Sequence, residues 1–474
     1  LFADISGFTP LAERLREQLG TRRGAETLAA TLNRVYDALI AEVDRYGGSI
    51  IGFAGDAITC WFSGESSTGR AATCGFALLT AMHTVEHVPL LETEPMSLGL
   101  KVVITTGTTQ RFLVGDPEIQ RIDTLAGAVV ARIALGEEVA ERGELLADAA
   151  TVEQLDSNVQ IRAWREHDQE RFAVLEQLVT PSQPMVQVAD KAASVNETLL
   201  AQMLPLFARN FPTGVDAFLI ELRPVTALFL RFTGINYDND PSAGDKLDRL
   251  IQLVQQVVAR YEGNVLQLTV GDKGSYLYAA FGAPYAHEDD PARALSAALD
   301  IRDQTSLLGF LAPIQIGISQ GIMRTGAYGS STRRTYGVLG DEVNLAARLM
   351  QRAELGMILI SESMLGSKVE RFALQRLTPL QIKGKANPIR VFQVVGQHDR
   401  SFEERFYTTP LIGREELLQR LDEAFQPIFE GHYAGIIYVH GEAGIGKSRI
   451  VYEAQLRLQV RVNATWLIGQ ADQL

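Results

Sequence analysis

The chain has 474 residues, of which 46% are apolar, with 44 basic and 57 acidic side chains and a formal net charge of −13. This balance belongs to packed globular domains, not to disordered or collagen-like chains. A net negative field also opposes general coating of a nucleic-acid backbone. The two cysteines, Cys60 and Cys74, are too few for a disulfide scaffold or an all-cysteine zinc site, which points to a reducing, cytoplasmic setting. No apolar run approaches the ~20 residues that cross a bilayer. At ~150 residues per domain, the length suggests about three domains.

In chain order, Leu1-Phe-Ala-Asp4-Ile-Ser-Gly7-Phe-Thr9 reads as an apolar strand that runs into a glycine turn. A helix follows over Pro10 to Gln18, then a longer amphipathic helix over Ala25 to Tyr46. Ser49 to Ala54 and Ala57 to Phe62 form two apolar stretches joined by Gly55-Asp56, the pattern of a hairpin. A helix near Arg70 to His83 and a strand from Gly99 complete the unit. His83 and His87, four apart in a Pro- and Glu-rich segment without a third ligand, read as surface residues. Cys60, between Thr59 and Trp61, reads as core.

The pattern then returns. Leu228-Phe-Leu-Arg231-Phe-Thr-Gly234 aligns with the opening strand, Gly263 to Lys273 with the Gly47 to Ala57 hairpin, and Pro313 to Gly321 with Gly99 to Gly107, at offsets of 227, 216 and 214 residues. This is a duplication of a whole domain. Strands interleaved with helices predict an α+β sandwich in each copy. The expected boundaries are 1–179 for the first copy, 180–212 for a linker containing Pro181 and Pro184, and 213–396 for the second. Residues 397–474 open a third domain. There, strand-like Gly435 to Gly441 leads into Gly441-Glu-Ala-Gly444-Ile-Gly446-Lys447-Ser448, a P-loop whose amides wrap phosphates, with Lys447 on the terminal phosphates and Ser448 on magnesium. The sequence stops roughly 30 residues past this loop, short of a complete nucleotide-hydrolysing domain, which is expected to be truncated here.

Asp4 interrupts an apolar strand, where an unpaired carboxylate is strongly disfavoured. It reads either as a turn residue accepting local amides or as half of a site completed by Asp56. If the hairpin lies beside the first strand, the two carboxylates meet, and like charges so close call for Mg²⁺ or Mn²⁺ between them. The amides of Ser6, Gly7, Phe8 and Thr9 open a helix and suit phosphate oxygens. In the second copy Asp4 is replaced by Arg231, which cannot ligate a cation, although Asp272 remains. That copy instead carries Asn344 and Arg348, i and i+4 on one helix face, where the first copy has Ala131 and Leu135. Each copy keeps half a site, as expected of two domains that face each other around one reaction centre.

Phe2-Ala-Asp4-Ile-Ser-Gly-Phe-Thr9, Gly52-Phe-Ala-Gly-Asp56-Ala and Val338-Leu-Gly-Asp-Glu-Val-Asn344-Leu-Ala-Ala-Arg348 together resemble the catalytic domain of the class III nucleotidyl cyclases. Here the domain is in tandem and followed by a P-loop ATPase, the layout of the soluble adenylyl cyclases and their bacterial relatives. Leu411-Ile-Gly-Arg-Glu with the P-loop resembles signal-transduction ATPases of the STAND type.

The resemblance implies two ferredoxin-like (βαββαβ) domains forming a pseudo-dimer, followed by the start of an α/β P-loop NTPase domain that binds ATP with Mg²⁺. It implies conversion of ATP to 3′,5′-cyclic AMP and pyrophosphate at the interface, with two metal ions. Carried over residue by residue, Asp4 and Asp56 match the metal-binding aspartates with the Ile5 carbonyl as a further ligand. Asn344 matches the ribose-orienting asparagine, Arg348 the transition-state arginine, and Lys383 a lysine on the terminal phosphate. The base-reading lysine falls at Leu268 with Gln267 adjacent, and its partner at Gly337. The eukaryotic relatives' bicarbonate-binding lysine and arginine fall at Gly52 and Ala131, so that site is not expected. The rival reading is a catalytically degenerate, nucleotide-binding pair that regulates the ATPase.

Overall fold

The computed structural model describes residues 1–85, 87–88, 96–185, 197–209, 221–271, 275–330, 332–366, 369–381, 388–397, 411–441 and 445–461. The chain divides into two compact units, one spanning Leu1 to Val395 apart from residues 371–373, and one containing Gly396 onward. Among the described residues, no helix is long and apolar enough to cross a membrane.

In the larger unit the first copy runs β1 (Phe2–Ser6), α1 (Phe8–Arg45), β2 (Ser49–Ala54), β3 (Ala57–Trp61), α2 (Ser67–Val85) and β4 (Gly99–Ile104). A hairpin of β5 (Gln110–Val114) and β6 (Ile122–Ala126), helix α3 (Ala128–Val139), strand β7 (Leu145–Asp148) and helix α4 (Ala149–Leu155) follow. The copy closes with β8 (Val159–His167) and β9 (Glu170–Leu178). The sheet order is β8-β9-β7-β4-β1-β3-β2, with β1 antiparallel to both β3 and β4 and with β4 parallel to β7. Ala3, Ile5, Val102, Ile104 and Ile58 alternate inward from these strands onto Leu11, Val35, Leu39 and Val43 of α1 and Leu78 of α2, in one buried cluster.

The sequence predicts two helices, Pro10 to Gln18 and Ala25 to Tyr46, and the span Phe8–Arg45 is two helical segments divided at Gly20, whose φ of 76° and ψ of 171° are not helical. Only glycine takes that left-handed conformation without strain, so the kink falls there. The 180–212 linker is not featureless: it contains α5 (Glu197–Met203) and α6 (Leu206–Arg209). The main-chain oxygen of Gln202 accepts from Arg121 N–H at 2.7 Å, and the ring of Phe207 sits 4.9 Å from that of Tyr336.

The second copy repeats the order with β10 (Glu221–Phe232), α7 (Ala243–Arg260), β11 (Asn264–Thr269), β12 (Ser275–Phe281), α8 (Asp290–Thr305), β13 (Gln315–Gly329), β14 (Arg334–Leu339), α9 (Asp341–Arg352) and β15 (Ile358–Ser361). Its sheet contains the run β11-β12-β10-β13-β15, the counterpart of β2-β3-β1-β4-β7, continued beyond β15 by strands Val391–Gln397 and Phe372–Arg376, and β14 pairs the far half of β13. The copies meet reciprocally: α1 of the first packs on β13 of the second, and α7 of the second packs on β5 of the first.

The smaller unit consists of α10 (Glu415–Ala424), a short α11 (Gln426–Phe429) and α12 (Lys447–Arg461), with Leu418, Ile450 and Ala454 forming its core. The expected strand over 435–441 does not form, and Ile436 and Tyr438 are exposed. A strand needs a neighbour for its amides and carbonyls, and among the described residues this unit offers none.

Candidate active site

Asp4 lies near the end of β1 opposite Ala57, the residue after Asp56, and the Ile5 N–H donates to the Asp56 carbonyl at 3.2 Å. The hairpin thus lies beside the first strand and its tip carries Asp56 to Asp4. Both carboxylates titrate high. Burial is the main cause for each, raising Asp4 to about 6 and Asp56 to about 7, and the Asp4 charge is the next cause at Asp56. Among the described residues neither makes an ion pair; Lys101, which acts on Asp4 from a distance, is paired with Glu137 at 3.7 Å. The Ser6 hydroxyl beside them is buried without a partner. Two uncompensated carboxylates, an orphaned hydroxyl and a strand-end carbonyl form the oxygen-rich donor set that divalent cations take, so the residues present fit such ions.

Gly7 starts α1 in the left-handed region at φ 91°, which turns the amides of the following residues toward the end of the helix. Phe8, one residue on, lines a cavity of about 660 Å³. Asp56, Gly55 and Ala54 line it from the first copy. Asn344, Ala347, Arg348 and Gln351 line it from α9 of the second copy. Helix α9 can present that face because Leu345, Ala346 and Leu349 are buried on the other side, with acidic Asp341 and Glu342 in its first turn. It sits hard on β13: a Cβ at Gly317 would overlap the backbone of Ala346 and Met350.

Of the residues singled out for the base, Gln267 and Gly337 line this cavity, whereas Leu268 is buried in the sheet outside its lining. A register shift between Val265 and Gln267 on β11 turns Gln267 to the side expected of Leu268. Lys383, Asp272 and Gly444 lie outside the described residues. Ala131, Arg132 and Leu135 line a second cavity of about 560 Å³ with Asn236 and Asp238, and Arg132 is held by Asp148 at 2.7 Å. In the smaller unit Gly446 has φ 99°, Lys447 and Ser448 open α12, and Lys447 Nζ donates to the Gly441 carbonyl at 3.0 Å. Cys60 is a buried free thiol, as expected of a core residue, Cys74 is buried and free as well, and His83 is exposed. Among the described residues, no cluster of three or more His, Cys, Asp or Glu residues forms. Sequence reasoning missed Arg324, Tyr278 and Tyr328, which also line the first cavity; a lone charge in the apolar run Ile322-Met-Arg324 was the available signal.

Residues 225–396 match the family model of the adenylate and guanylate cyclase catalytic domain, and residues 410–474 match that of the AAA ATPase domain. The chain is 24% identical to adenylate cyclase type 10 of Rattus norvegicus over 490 residues, which is 96% of this chain and 30% of that protein. The corresponding protein of Homo sapiens is also 24% identical, over 97% of this chain and 30% of its own length. Adenylate cyclase 1 of Rhizobium meliloti is 25% identical across 36% of this chain and 27% of that protein. Among solved structures, the adenylyl cyclase CyaB from P. aeruginosa aligns over 38% of this chain and 98% of that chain at 25% identity, with a TM-score of 0.35. The chain spans about 30% of the length of the mammalian relatives it matches. By these matches, residues 225–396 are similar to a cyclase catalytic domain and residues 410–474 to an AAA ATPase domain.

Proposed function

We propose that the tandem copies are a pseudo-dimer of ferredoxin-like cyclase domains, bounded at 1–179 and 213–396, that converts ATP to 3′,5′-cyclic AMP and pyrophosphate. The observation that carries this reading is that Asp56 and Phe8 of one copy share a single cavity with Asn344 and Arg348 of the other. ATP is the substrate by similarity to the relatives named as adenylate cyclases. Asp4, Asp56 and the Ile5 carbonyl would hold two divalent ions, Mg²⁺ or Mn²⁺, which when bound acidify a ribose hydroxyl and neutralise a triphosphate.

The protein's own groups do the rest. Amides at Ser6, Gly7, Phe8 and Thr9 hold phosphate oxygens at the start of α1, with Lys383 on the terminal phosphate. Asn344 orients the ribose so that its 3′-oxygen lies in line with the α-phosphorus. The 3′-hydroxyl gives up its proton to solvent, the new O–P bond forms as the bond from the α-phosphorus to the bridging oxygen breaks, and pyrophosphate leaves. Arg348, one helical turn on, faces the charge that builds on the phosphorus oxygens. The smaller unit would bind ATP and Mg²⁺ at Gly441, Gly444, Gly446, Lys447 and Ser448, as a STAND-type signalling ATPase does. The reading belongs in the cytoplasm, where the thiols of Cys60 and Cys74 stay reduced.

The test is to supply ATP or GTP with Mn²⁺ or Mg²⁺ and to assay cyclic nucleotide and pyrophosphate. Asp56→Ala should abolish product, and Arg348→Ala should lower turnover about 10²–10³-fold. Leu268 outside the cavity and the bare Gly337 favour a second reading, the degenerate regulator of the ATPase. Nucleotide binding without product from any triphosphate would select it.

A further inference from the structure

The cavity between the copies contains a cation that the chemistry above does not use. Arg324 on β13 is 3% exposed, and its Nε and Nη1 are buried without any hydrogen-bond partner. Its Nη2 reaches only the Ala327 carbonyl, at 3.5 Å. Burial lowers its pKa to about 10, so it remains charged at neutral pH. A desolvated guanidinium with idle donors is strongly unfavourable unless a ligand meets them.

The sheet fixes where this group points. Residues 324, 326 and 328 share one face of β13. The middle one is Gly326, and its register partner on β14 is Gly337. Two bare positions side by side leave room for the long side chains that flank them, and the bond to Ala327 directs the guanidinium along the strand past Gly326. The ring of Tyr328 takes the rest of the space and would overlap any Cβ at Gly337. The Tyr278 hydroxyl, also buried without a partner, lines the same cavity. Arg324 lies two residues from Gly326, whose register partner Gly337 is a position expected to face the base, and Gln267, the other such position in the lining, shares the cavity. A purine held there, rather than the phosphates, would meet Arg324.

We infer that Arg324 is the specificity-determining residue that reads the nucleobase, donating to the acceptor edge of a purine, with the bare Gly326–Gly337 pair making room for it. The inference rests on the cyclase reading of the cavity. A guanidinium donates and never accepts, and both purines offer it N7, beside O6 in guanine.

The experiment compares the full chain with Arg324→Met, which keeps the length but removes the donors, and Arg324→Lys, which keeps the charge. With Mn²⁺ present, Arg324→Met should raise KM for the purine triphosphate about 10–100-fold with a much smaller change in kcat. CTP turnover and inhibition by inorganic tripolyphosphate should not move, and Arg324→Lys should fall between. Relieved of an unpaired buried charge, Arg324→Met should also melt at a higher temperature than the parent chain. A tripolyphosphate inhibition constant that rises in step with KM would show a phosphate role and overturn the inference. So would an unchanged KM in a folded variant, or a lowered melting temperature in both variants. If the parent chain makes no product, the cyclase reading fails by itself. Calorimetric titration of ATP and GTP into Lys447→Ala chains, in which the P-loop is disabled, with and without Arg324→Met then decides the residue's role: unchanged affinity sinks it.

Discussion

The hydroxyl of Tyr36, wholly buried in α1, donates to the Gly55 carbonyl at 2.8 Å, one residue before Asp56. The ring is held edge-on by Phe53 at 5.2 Å and lies 6.2 Å from Tyr328 of the second copy. A helix of the first copy thereby fixes the hairpin tip that carries one of the two carboxylates. Tyr36→Phe keeps the ring and strands the carbonyl, so it should cost about 1–2 kcal/mol in urea unfolding. It should also weaken Mn²⁺ binding several-fold in a calorimetric titration. Binding that matches the parent chain would mean the tip is held by other contacts.

The two carboxylates make cation uptake depend on pH. Their folded values of about 6 and about 7 lie above the ordinary carboxylate value near ~4. Between about pH 4 and 7 the folded, metal-free chain therefore binds more protons than the unfolded one, and its stability falls as pH rises through that window. A cation must displace those protons, so Mn²⁺ affinity should climb from about pH 5.5 to 7.5 and then level off. Asp56→Asn should flatten both profiles. An affinity independent of pH in the parent chain would contradict this assignment.

The interface between the copies is tied through backbone amides of the first. Gln255 on α7 is 1% exposed, accepts from Asp116 N–H at 2.7 Å and donates to the Gln120 carbonyl at 2.8 Å. Asp248, two turns earlier, accepts from Gly115 N–H at 2.7 Å. Gln255→Leu leaves two buried backbone groups unmet and should cost about 3 kcal/mol. Because the cavity is lined from both copies, activity should fall at temperatures where the parent chain is still fully active. A thermal inactivation curve that superimposes on the parent's would refute this.

Helix α9 depends on the missing side chain at Gly317. A methyl there meets the backbone of Ala346 and Met350, which cannot yield without lifting the helix from the sheet. Gly317→Ala should destabilise the chain by about 3 kcal/mol or more and displace Asn344 and Arg348, lowering kcat rather than only raising KM. A variant with normal melting and normal turnover would show that α9 tolerates the shift.

Much of this was legible beforehand. The hairpin strands end within a residue of the sequence reading, because alternation and a Gly-Asp tip are local signals. The pairing of Asp4 with Asp56, and of Asn344 with Arg348, followed from one strand register and one helical period. The break at Gly20 was legible as well, since one periodic stretch ends at Gln18 and the next begins at Ala25. Arg324 was overlooked because its meaning comes from Gly326 and Gly337 lying opposite each other, a tertiary fact. The absent 435–441 strand shows the reverse limit: a β-prone run stays irregular without a neighbour.

Tyr328 carries a last consequence. It is 6% exposed and belongs to the apolar cluster of the first copy although the second copy supplies it, while Asn33 accepts from Gly329 N–H at 3.1 Å. During synthesis the leading half, 1–179, emerges with a socket that stays open until about 150 further residues, up to Tyr328, have been translated. Severed halves should each expose that socket, or the ring meant for it, and should be sticky alone yet recover when co-expressed.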